Sequence, residues 1–249
     1  MKTSASLRAL LDASVSATAF ALAEPALAQT AAEGAEVGEV LVTAQKRSEN
    51  INDVPLAVTA VSGEKLDAIL SSGGDIRVLS ARVPSLTLES SFGRTFPRPY
   101  IRGLGNTDFD LNASQPVSFV YDEVVLETPV LKGFPLFDIA QVEVLKGPQG
   151  TLFGRNTPAG VLKFDSVKPS QTFGGYAQAS YATHSTINLE GAVGGPIVEG
   201  VLAGRISGLY QHRDDWVDNT FAGVSADGTV TPKKDAMGGF DEKDARVQL

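Results

Sequence analysis

The chain has 249 residues and a formal net charge of -8, from 21 lysines and arginines against 29 aspartates and glutamates. This balance argues against nucleic acid as a partner, because nucleic-acid binders need a basic surface to displace counterions. Cysteine is absent, which excludes disulfides, thiolate nucleophiles and cysteine zinc sites, and two histidines are too few for most metalloenzyme or triad chemistry. No run approaches the ~18 apolar residues of a spanning helix, so the sequence excludes a helical membrane protein.

The first segment has the pattern of a secretion signal. Lys2 and Arg8 precede the apolar stretch Ala13–Ala23, and Ala26-Leu27-Ala28 supplies an A-x-A end. This order predicts a signal peptide over Met1–Ala28 with cleavage after Ala28. An amphipathic N-terminal helix of a soluble protein is the alternative.

Residues 29–50 are predicted to form a flexible tail that contains one short β-prone segment, Glu39–Ala44. Its members are Glu39, Val40, Leu41, Val42, Thr43 and Ala44. Two interpretations stay open. The segment is either an ordinary first strand of the domain that follows, or a strand left free to add to the sheet edge of another protein, where backbone hydrogen bonds supply most of the affinity.

A compact α+β domain is predicted from Val54 onwards. Ser62 is expected to cap a helix over Gly63–Leu70, and Asp75 to cap a second helix that bears Ile76 and Leu79. The predicted strands are Ala57–Val61, Pro99–Arg102, Val117–Tyr121, Val124–Leu126 and Gln141–Leu145. Asp122-Glu123 is predicted to form a tight turn, although glycine would suit its second position better.

Glycine spacing in this domain does not predict a nucleotide site. Gly154 is followed by Arg155 and Asn156, whereas a phosphate-binding loop ends in Gly-Lys-Ser/Thr. Gly103-Leu104-Gly105 likewise has no third glycine at position 108.

The last 79 residues alternate with a period of two, which predicts strands with one apolar and one polar face. The strands are expected at Gly175–Thr183, Thr186–Val193, Val201–Arg213 and Asp244–Leu249. A soluble antiparallel sheet would show the same pattern. The signal peptide, the length of the third strand, and the contrast between a short turn (Gly194–Gly200) and a long polar loop (Asp214–Gly239) favour a membrane barrel.

Several motifs occur in the order typical of one family. Glu39–Ala44 looks like a TonB box, and Ile101-Arg102-Gly103, Val142–Gly150 and Thr151–Asn156 look like plug-domain signatures. His212–Asn219 is similar to the end of an early barrel strand and its outer loop. From about Glu39 to Leu249 the chain resembles the N-terminal part of a TonB-dependent outer-membrane receptor.

This resemblance implies an α+β plug domain, a small mixed sheet with short helices, over residues 51–168. The first antiparallel strands of an incomplete transmembrane β-barrel would follow over residues 169–249. Four strands leave an edge of unpaired backbone groups, which hydrocarbon does not tolerate, so we expect a truncated or fragmentary receptor.

The implied function is active uptake and not catalysis, most often of ferric siderophore complexes. The plug would occlude a barrel in the cell outer membrane, in contact with its lipid, and face the periplasm together with the box. Plug loops at residues 91–98 and 106–115 would contact the ligand. TonB, with ExbB and ExbD, would be the partner that pairs with the box. No cofactor or metal is implied.

The resemblance also assigns roles to individual residues. Glu39, Val40, Leu41, Val42, Thr43 and Ala44 would bind TonB. Arg102, Glu143, Lys146 and Arg155 would be candidates for plug–barrel charge pairs, with a solvated role preferred for Lys146. Gly103, Gly147, Gly150 and Gly154 would serve backbone geometry, through a positive φ or a close approach. Departures from the family pattern occur at Glu123, at Pro158-Ala159 and over Lys163–Ser166.

Two other classes of function remain. A soluble periplasmic or surface binding module with an α+β head and a β-rich tail would share the pattern of strands and helices. An extracellular hydrolase is supported only by paired acids, Asp108 with Asp110 and Asp214 with Asp215.

Overall fold

The computed structural model describes residues 40–71, 75–90, 92–108, 110–221 and 223–249. The predicted signal peptide Met1–Ala28 and Glu39, the first residue of the predicted box, lie outside the described residues. Val40–Leu249 forms one compact unit. The boundary expected between residues 168 and 169 therefore stays a prediction.

Short elements come first and long strands come last. The early strands are β1 (Leu41–Val42), β2 (Glu49–Asn50), β3 (Ala57–Ser62), β4 (Leu86–Glu89), β5 (Arg98–Ile101), β6 (Val117–Tyr121), β7 (Val124–Leu126), β8 (Ile139–Lys146) and β9 (Gly160–Ser166). The helices are α1 (Gly63–Leu70), α2 (Gly150–Phe153) and the 3₁₀ helices η1 (Ile76–Ala81) and η2 (Pro129–Lys132). The late strands are β10 (Gly174–Ala182), β11 (Thr186–Val198), β12 (Leu202–Arg213), β13 (Gly223–Val224), β14 (Val230–Thr231) and β15 (Phe240–Gln248).

The plug region is built on a five-stranded mixed sheet in the order β3-β8-β9-β6-β7. All its pairs are antiparallel except β6 with β9, which run parallel. Short helices pack beside this sheet, which confirms the predicted α+β plug. Sequence reasoning did not identify β9, because Lys163 and Asp165 interrupt its apolar pattern.

The helices begin where the sequence predicts, but only one of the two predicted side-chain capping bonds forms. α1 has the predicted bounds, and Leu66, Ile69 and Leu70 are buried. Ser62 stands at its N-cap but makes no side-chain capping bond, so the expected cap is wrong in this respect. Asp75 does accept a hydrogen bond from the backbone N–H of Arg77, although the helix that it begins is 3₁₀.

The sheet buries both of its faces. One face carries Val142, Val144 and Phe164 and packs against α1 and η1 in the main core. The opposite face carries Leu145 and Val161 and packs against residues that precede β3. Because both faces are covered, apolar residues of β8 and β9 lie on both faces, although polar and charged residues interrupt their runs.

The predicted turn at Asp122-Glu123 joins β6 to β7. Both residues have a positive φ, 46° and 68°, as a two-residue hairpin of type I′ requires. Glu123 thus adopts a conformation that glycine reaches without strain.

The late strands form a separate antiparallel sheet in the order β10-β11-β12-β15. Two of its strands, β11 and β15, are longer than the sequence indicated. β11 continues to Val198 and pairs with β12, so the turn expected over Gly194–Gly200 is wrong in its first half, and β15 begins at Phe240. The alternation is lost near Gly194-Gly195-Pro196, and for that reason the strand end was misplaced.

This second sheet turns its polar face inward and its apolar face outward. Asn188, Ser207 and Gln211 are buried against the plug region, whereas Leu189, Ile206 and Val247 are exposed. The sheet is open and does not close on itself. Among the described residues, no helix is long and apolar enough to cross a membrane.

Candidate functional site

Two parts of the molecule bring the predicted functional residues together. In one, the predicted TonB box lies on the plug sheet. In the other, the plug contacts the late strands.

The described part of the box, Val40–Ala44, is packed against the plug. Leu41 and Val42 form β1, which pairs antiparallel with Asn50 and Glu49 of β2. Val42 and Ala44 are fully buried in the second core, together with Leu145 and Val161 of the plug sheet. Within the part of the chain that the structure describes, the box strand therefore pairs with the short segment that follows it, and its side chains cover one face of the domain.

Charged side chains of the plug form hydrogen bonds with Thr43. The Thr43 backbone N–H donates to Glu143 Oε1 at 2.6 Å, and its hydroxyl lies 3.0 Å from the same oxygen. Lys163 Nζ donates to Thr43 Oγ1 at 2.8 Å, to Asp165 Oδ2 at 2.6 Å and pairs with Glu123 Oε1 at 3.1 Å. We call Glu123, Glu143, Lys163 and Asp165 the box-facing cluster.

Two members of the box-facing cluster carry their ionisable groups in the interior of the protein. Glu143 and Lys163 lie opposite each other on β8 and β9, and both are almost fully buried. Burial raises the pKa of Glu143 above its usual value, an effect that the Thr43 N–H and Lys163 only partly oppose. Burial alone would lower the pKa of Lys163, but the hydrogen bond and charge of Asp165 and the contact with Glu123 raise it, so this lysine is charged.

The first contact between plug and late strands is centred on Asp138, immediately before β8. Its carboxylate is fully buried and receives the Arg205 guanidinium, with Nε donating to Oδ2 at 2.8 Å. Arg246 lies 3.4 Å from the same carboxylate and donates to the backbone oxygens of Phe137 and Asp138. Although burial by itself raises the pKa of Asp138, the Arg205 hydrogen bond and the two positive charges hold it below its usual value.

The second contact lies further along β12. Arg94, in the loop before β5, donates to Gln211 Oε1 at 2.9 Å and pairs with Glu242 Oε2 at 2.8 Å. Its guanidinium also stacks 4.1 Å from the ring centre of Phe240. Arg205 and Gln211 are six residues apart on one strand, so the two contacts are separated by roughly 20 Å.

These contacts show which parts of the plug lie beside each end of the late strands. Arg94 places the loop at residues 92–97 beside the end of β12 that leads into residues 214–239. At the other end, Gln248 Nε2 donates to Ser166 Oγ, where β9 and the plug sheet finish. The predicted ligand loop and the predicted outer loop therefore lie at the same end.

The residues that sequence reasoning assigned to plug–barrel pairing lie elsewhere. Glu143 contacts the box, and Arg155 lies 3.9 Å from Glu127 within the plug region. Lys146 lies near Arg102, whose charge adds to burial in lowering the lysine pKa. Their pairing with a barrel stays a prediction. The contacts that the structure does show include those of Asp138, Arg94, Arg205, Glu242 and Arg246, and the available signal was a set of charges at inward positions of the late strands.

The four glycines assigned to backbone geometry differ in what their positions require. Gly103, Gly147 and Gly154 have a positive φ of 79°, 105° and 77°. Gly150 has no positive φ, and a Cβ placed there would meet only Thr157 Oγ1, at 3.9 Å. The structure gives no steric reason for glycine at position 150.

Comparison with known proteins identifies the plug region independently. Residues 50–161 match the family model described as TonB-dependent Receptor Plug Domain. The pesticin receptor of Yersinia pestis is 29% identical over 204 residues, which are 80% of this chain and 29% of that receptor. The ferric-pyoverdine 358 receptor of Pseudomonas putida is 24% identical over 227 residues, 88% of this chain and 26% of the relative.

A solved structure shows the same fold. The crystal structure of the ferric yersiniabactin uptake receptor from Yersinia pestis superposes with a TM-score of 0.65 at 24% identity, covering 77% of this chain and 28% of that one. The chain thus spans less than a third of the length of these relatives. The motifs, the mixed sheet and the family match agree: residues 50–161 form a plug domain of the TonB-dependent receptor type, and the chain is similar to the first part of such receptors.

Proposed function

We propose that the protein containing this chain imports a scarce nutrient complex across the outer membrane, with a ferric siderophore as its cargo. TonB, with ExbB and ExbD, would supply the energy from the proton gradient. The proposal is supported by relatives whose names specify a pesticin receptor and a ferric-pyoverdine receptor, and by a similar fold in a ferric yersiniabactin uptake receptor.

The observation that carries this proposal is the polarity of the four-stranded sheet. Its charged and amide side chains face the plug, through Arg205 to Asp138 and through Gln211 to Arg94. Its aliphatic side chains, including Leu189, Ile206 and Val247, are exposed. A water-soluble module would bury this apolar face, whereas a barrel wall in lipid places it outward and fills its lumen with polar groups.

The proposed route of the signal follows the two ends of the molecule. Cargo would contact the plug loops near Arg94 and residues 106–115, at the end that carries the long 214–239 loop. The box lies against β8 and β9 of the plug and would be released there into the periplasm. A plug that links a loop at one end to a docked strand can signal occupancy from one side of the membrane to the other.

No residue is assigned a catalytic role in this proposal. The acids that suggested a hydrolase lie in exposed loops, and the Asp108 side chain accepts a bond from the Asp110 backbone N–H at 2.9 Å, as in an ordinary turn. Among the described residues, no group of three or more histidines and acids is placed to hold a metal ion.

Growth under iron limitation tests the proposal directly. A deletion strain is complemented with the wild-type gene or with variants of the box, and supplied with one purified ferric siderophore at a time. Wild type is expected to restore growth with at least one siderophore, and a protonophore to abolish uptake of radiolabelled iron.

The box variants separate backbone pairing from side-chain packing. Leu41→Pro removes a backbone donor and is expected to abolish uptake while cells still bind the cargo. Leu41→Ala is the matched control and is expected to retain uptake, since strand addition relies mostly on backbone bonds. Failure of wild type to support uptake of any siderophore, or of cobalamin, haem, nickel complexes or glycans, would refute the proposal.

A further inference from the structure

The described part of the box has both of its strand edges occupied. Successive peptide groups of a strand point alternately to its two edges. On one edge, the Val40 carbonyl accepts from the Ile51 N–H at 2.9 Å, within the pairing of β1 with β2. The backbone N–H and C=O groups that point to the other edge belong to Leu41 and Thr43.

Side chains, not a strand, occupy that second edge. Gln141 Nε2 donates to the Leu41 carbonyl at 3.0 Å, and Glu143 Oε1 accepts from the Thr43 N–H at 2.6 Å. Gln141 and Glu143 are two residues apart on β8, on the same face of the sheet, and Gln141 Nε2 also donates to Glu143 Oε1 at 2.9 Å. The pair therefore presents one donor and one acceptor, the same groups that the edge of a partner strand would present.

We infer that Gln141 and Glu143 mask the edge of the box at which a partner strand adds, and that Lys163 is the positioning residue that holds the mask closed. The inference rests on the proposed function, because it identifies the edge that the energy-transducing partner uses. An extended strand can pair at Leu41 and Thr43 only after it displaces these two side chains.

Lys163 is suited to this role by its contacts. Its ammonium group is buried, bonds to Thr43 Oγ1 and lies between Asp165 and Glu123. The fold brings Glu123, Lys163 and Asp165 together beside Thr43. Both Lys163 and Asp165 contact the Thr43 hydroxyl, next to the masked edge.

A spin label measures whether the mask is closed. The chain has no cysteine, so Val40→Cys supplies the one labelling site in these 249 residues, at the end of the box, and any cysteine elsewhere in the full protein is replaced by serine. In the full protein in outer-membrane vesicles without cargo, the label is expected to be immobile. Gln141→Ala and Glu143→Ala are expected to mobilise it, whereas Glu143→Gln keeps an acceptor for the Thr43 N–H and is expected to leave it immobile.

The same vesicles report partner binding. Loss of one neutral hydrogen bond for Gln141→Ala, or of a charged one for Glu143→Ala, is expected to tighten binding of the periplasmic domain of TonB roughly fivefold and tenfold or more, because less free energy is spent in opening the box. Lys163→Met is expected to act in the same direction. Glu64→Ala, an exposed acid on α1, is the matched control and is expected to change neither readout.

The two assays separate the possible failures. An immobile label and unchanged affinity in both Gln141→Ala and Glu143→Ala would overturn the mask. A label that is mobilised as expected, with no binding of the TonB domain to wild type or to any variant, would uphold the mask as a docking contact and refute the proposed function instead.

Discussion

Asp138 provides a sharp test of how the plug is held to the late strands. Its carboxylate is 0% exposed, and the side chains of its partners Arg205 and Arg246 are only 11% and 15% exposed. Asp138→Asn removes the charge and keeps the shape. It also keeps a residue type that tolerates the φ of 52° at this position, which alanine would not do as readily.

The expected cost follows from leaving two arginines without their counter-charge. Removal of one partner from a buried ion pair costs about 3–5 kcal/mol. Because asparagine retains one acceptor for Arg205, we expect the lower end, about 3 kcal/mol. At 1.36 kcal/mol per decade, this corresponds to roughly a hundredfold change in a local opening equilibrium.

Hydrogen–deuterium exchange measures this change in the detergent-purified protein at pH 7. In Asp138→Asn, the protection factors of peptides that contain the start of β8 and the centre of β12 are expected to fall together by about a hundredfold. Arg47→Gln removes an exposed ion pair with Glu49 and is the control, expected to stay within about fivefold. Protection of β8 within threefold of wild type in Asp138→Asn would show that this contact does not hold the two sheets together.

The pH dependence of the same contact has a defined sign. The folded pKa of Asp138 lies below its usual value of 3.8. Its stabilising contribution is therefore fully present above about pH 3.8 and is lost as the pH falls through the folded value. Asp138→Asn is expected to abolish this loss, and an unchanged acid transition in the variant would contradict the assignment.

Three further predictions concern the plug. Gly160→Ala is expected to speed hydrogen exchange of the plug sheet and to lower its stability by more than about 2 kcal/mol. The reason is that φ is +148° and a Cβ would lie 2.2 Å from the Leu145 oxygen. Gly150→Ala is the control, because a Cβ has room there, and its stability should be unchanged or slightly higher. Lys132 is buried against Phe119, and burial lowers its pKa to about 8 despite the opposing charge of Glu127. Lys132→Met is therefore expected to stabilise the plug by roughly 3 kcal/mol at pH 7. That gain in stability should decrease between pH 8 and the usual lysine pKa of 10.5, above which the wild-type amine is neutral in both the folded and the unfolded state. Denaturant unfolding across this pH range measures the gain. A gain that does not change with pH would contradict burial of the charged amine as its cause.

The sequence was informative wherever one local rule decided the outcome. The spacing of Leu66, Ile69 and Leu70 fixed helix α1, and alternation located the late strands and their outward faces. It was less informative for β9, where Lys163 and Asp165 look like surface residues. Their burial depends on Thr43 and Glu123, which lie 120 and 40 positions away in the chain, and no local pattern reports such a contact.

The candidate site shows the same division. Motifs predicted that Glu39–Ala44 is a partner-binding strand, but not that Gln141 and Glu143 occupy its edge. Likewise, charges at inward positions of β12 and β15 were visible, while their partners Asp138 and Arg94 were not. In both cases the missing information was which buried charge each residue meets across the fold.

By itself, the sequence determined the family resemblance, the plug motifs, and the two-residue period that assigns one polar and one apolar face to each late strand. The tertiary structure decided which face meets the plug, which acids are desolvated, and that the box is docked with both edges filled. The physical reason is that period and propensity act over a few residues. Desolvation and charge pairing, in contrast, depend on groups that only the folded chain brings within 3 Å of one another.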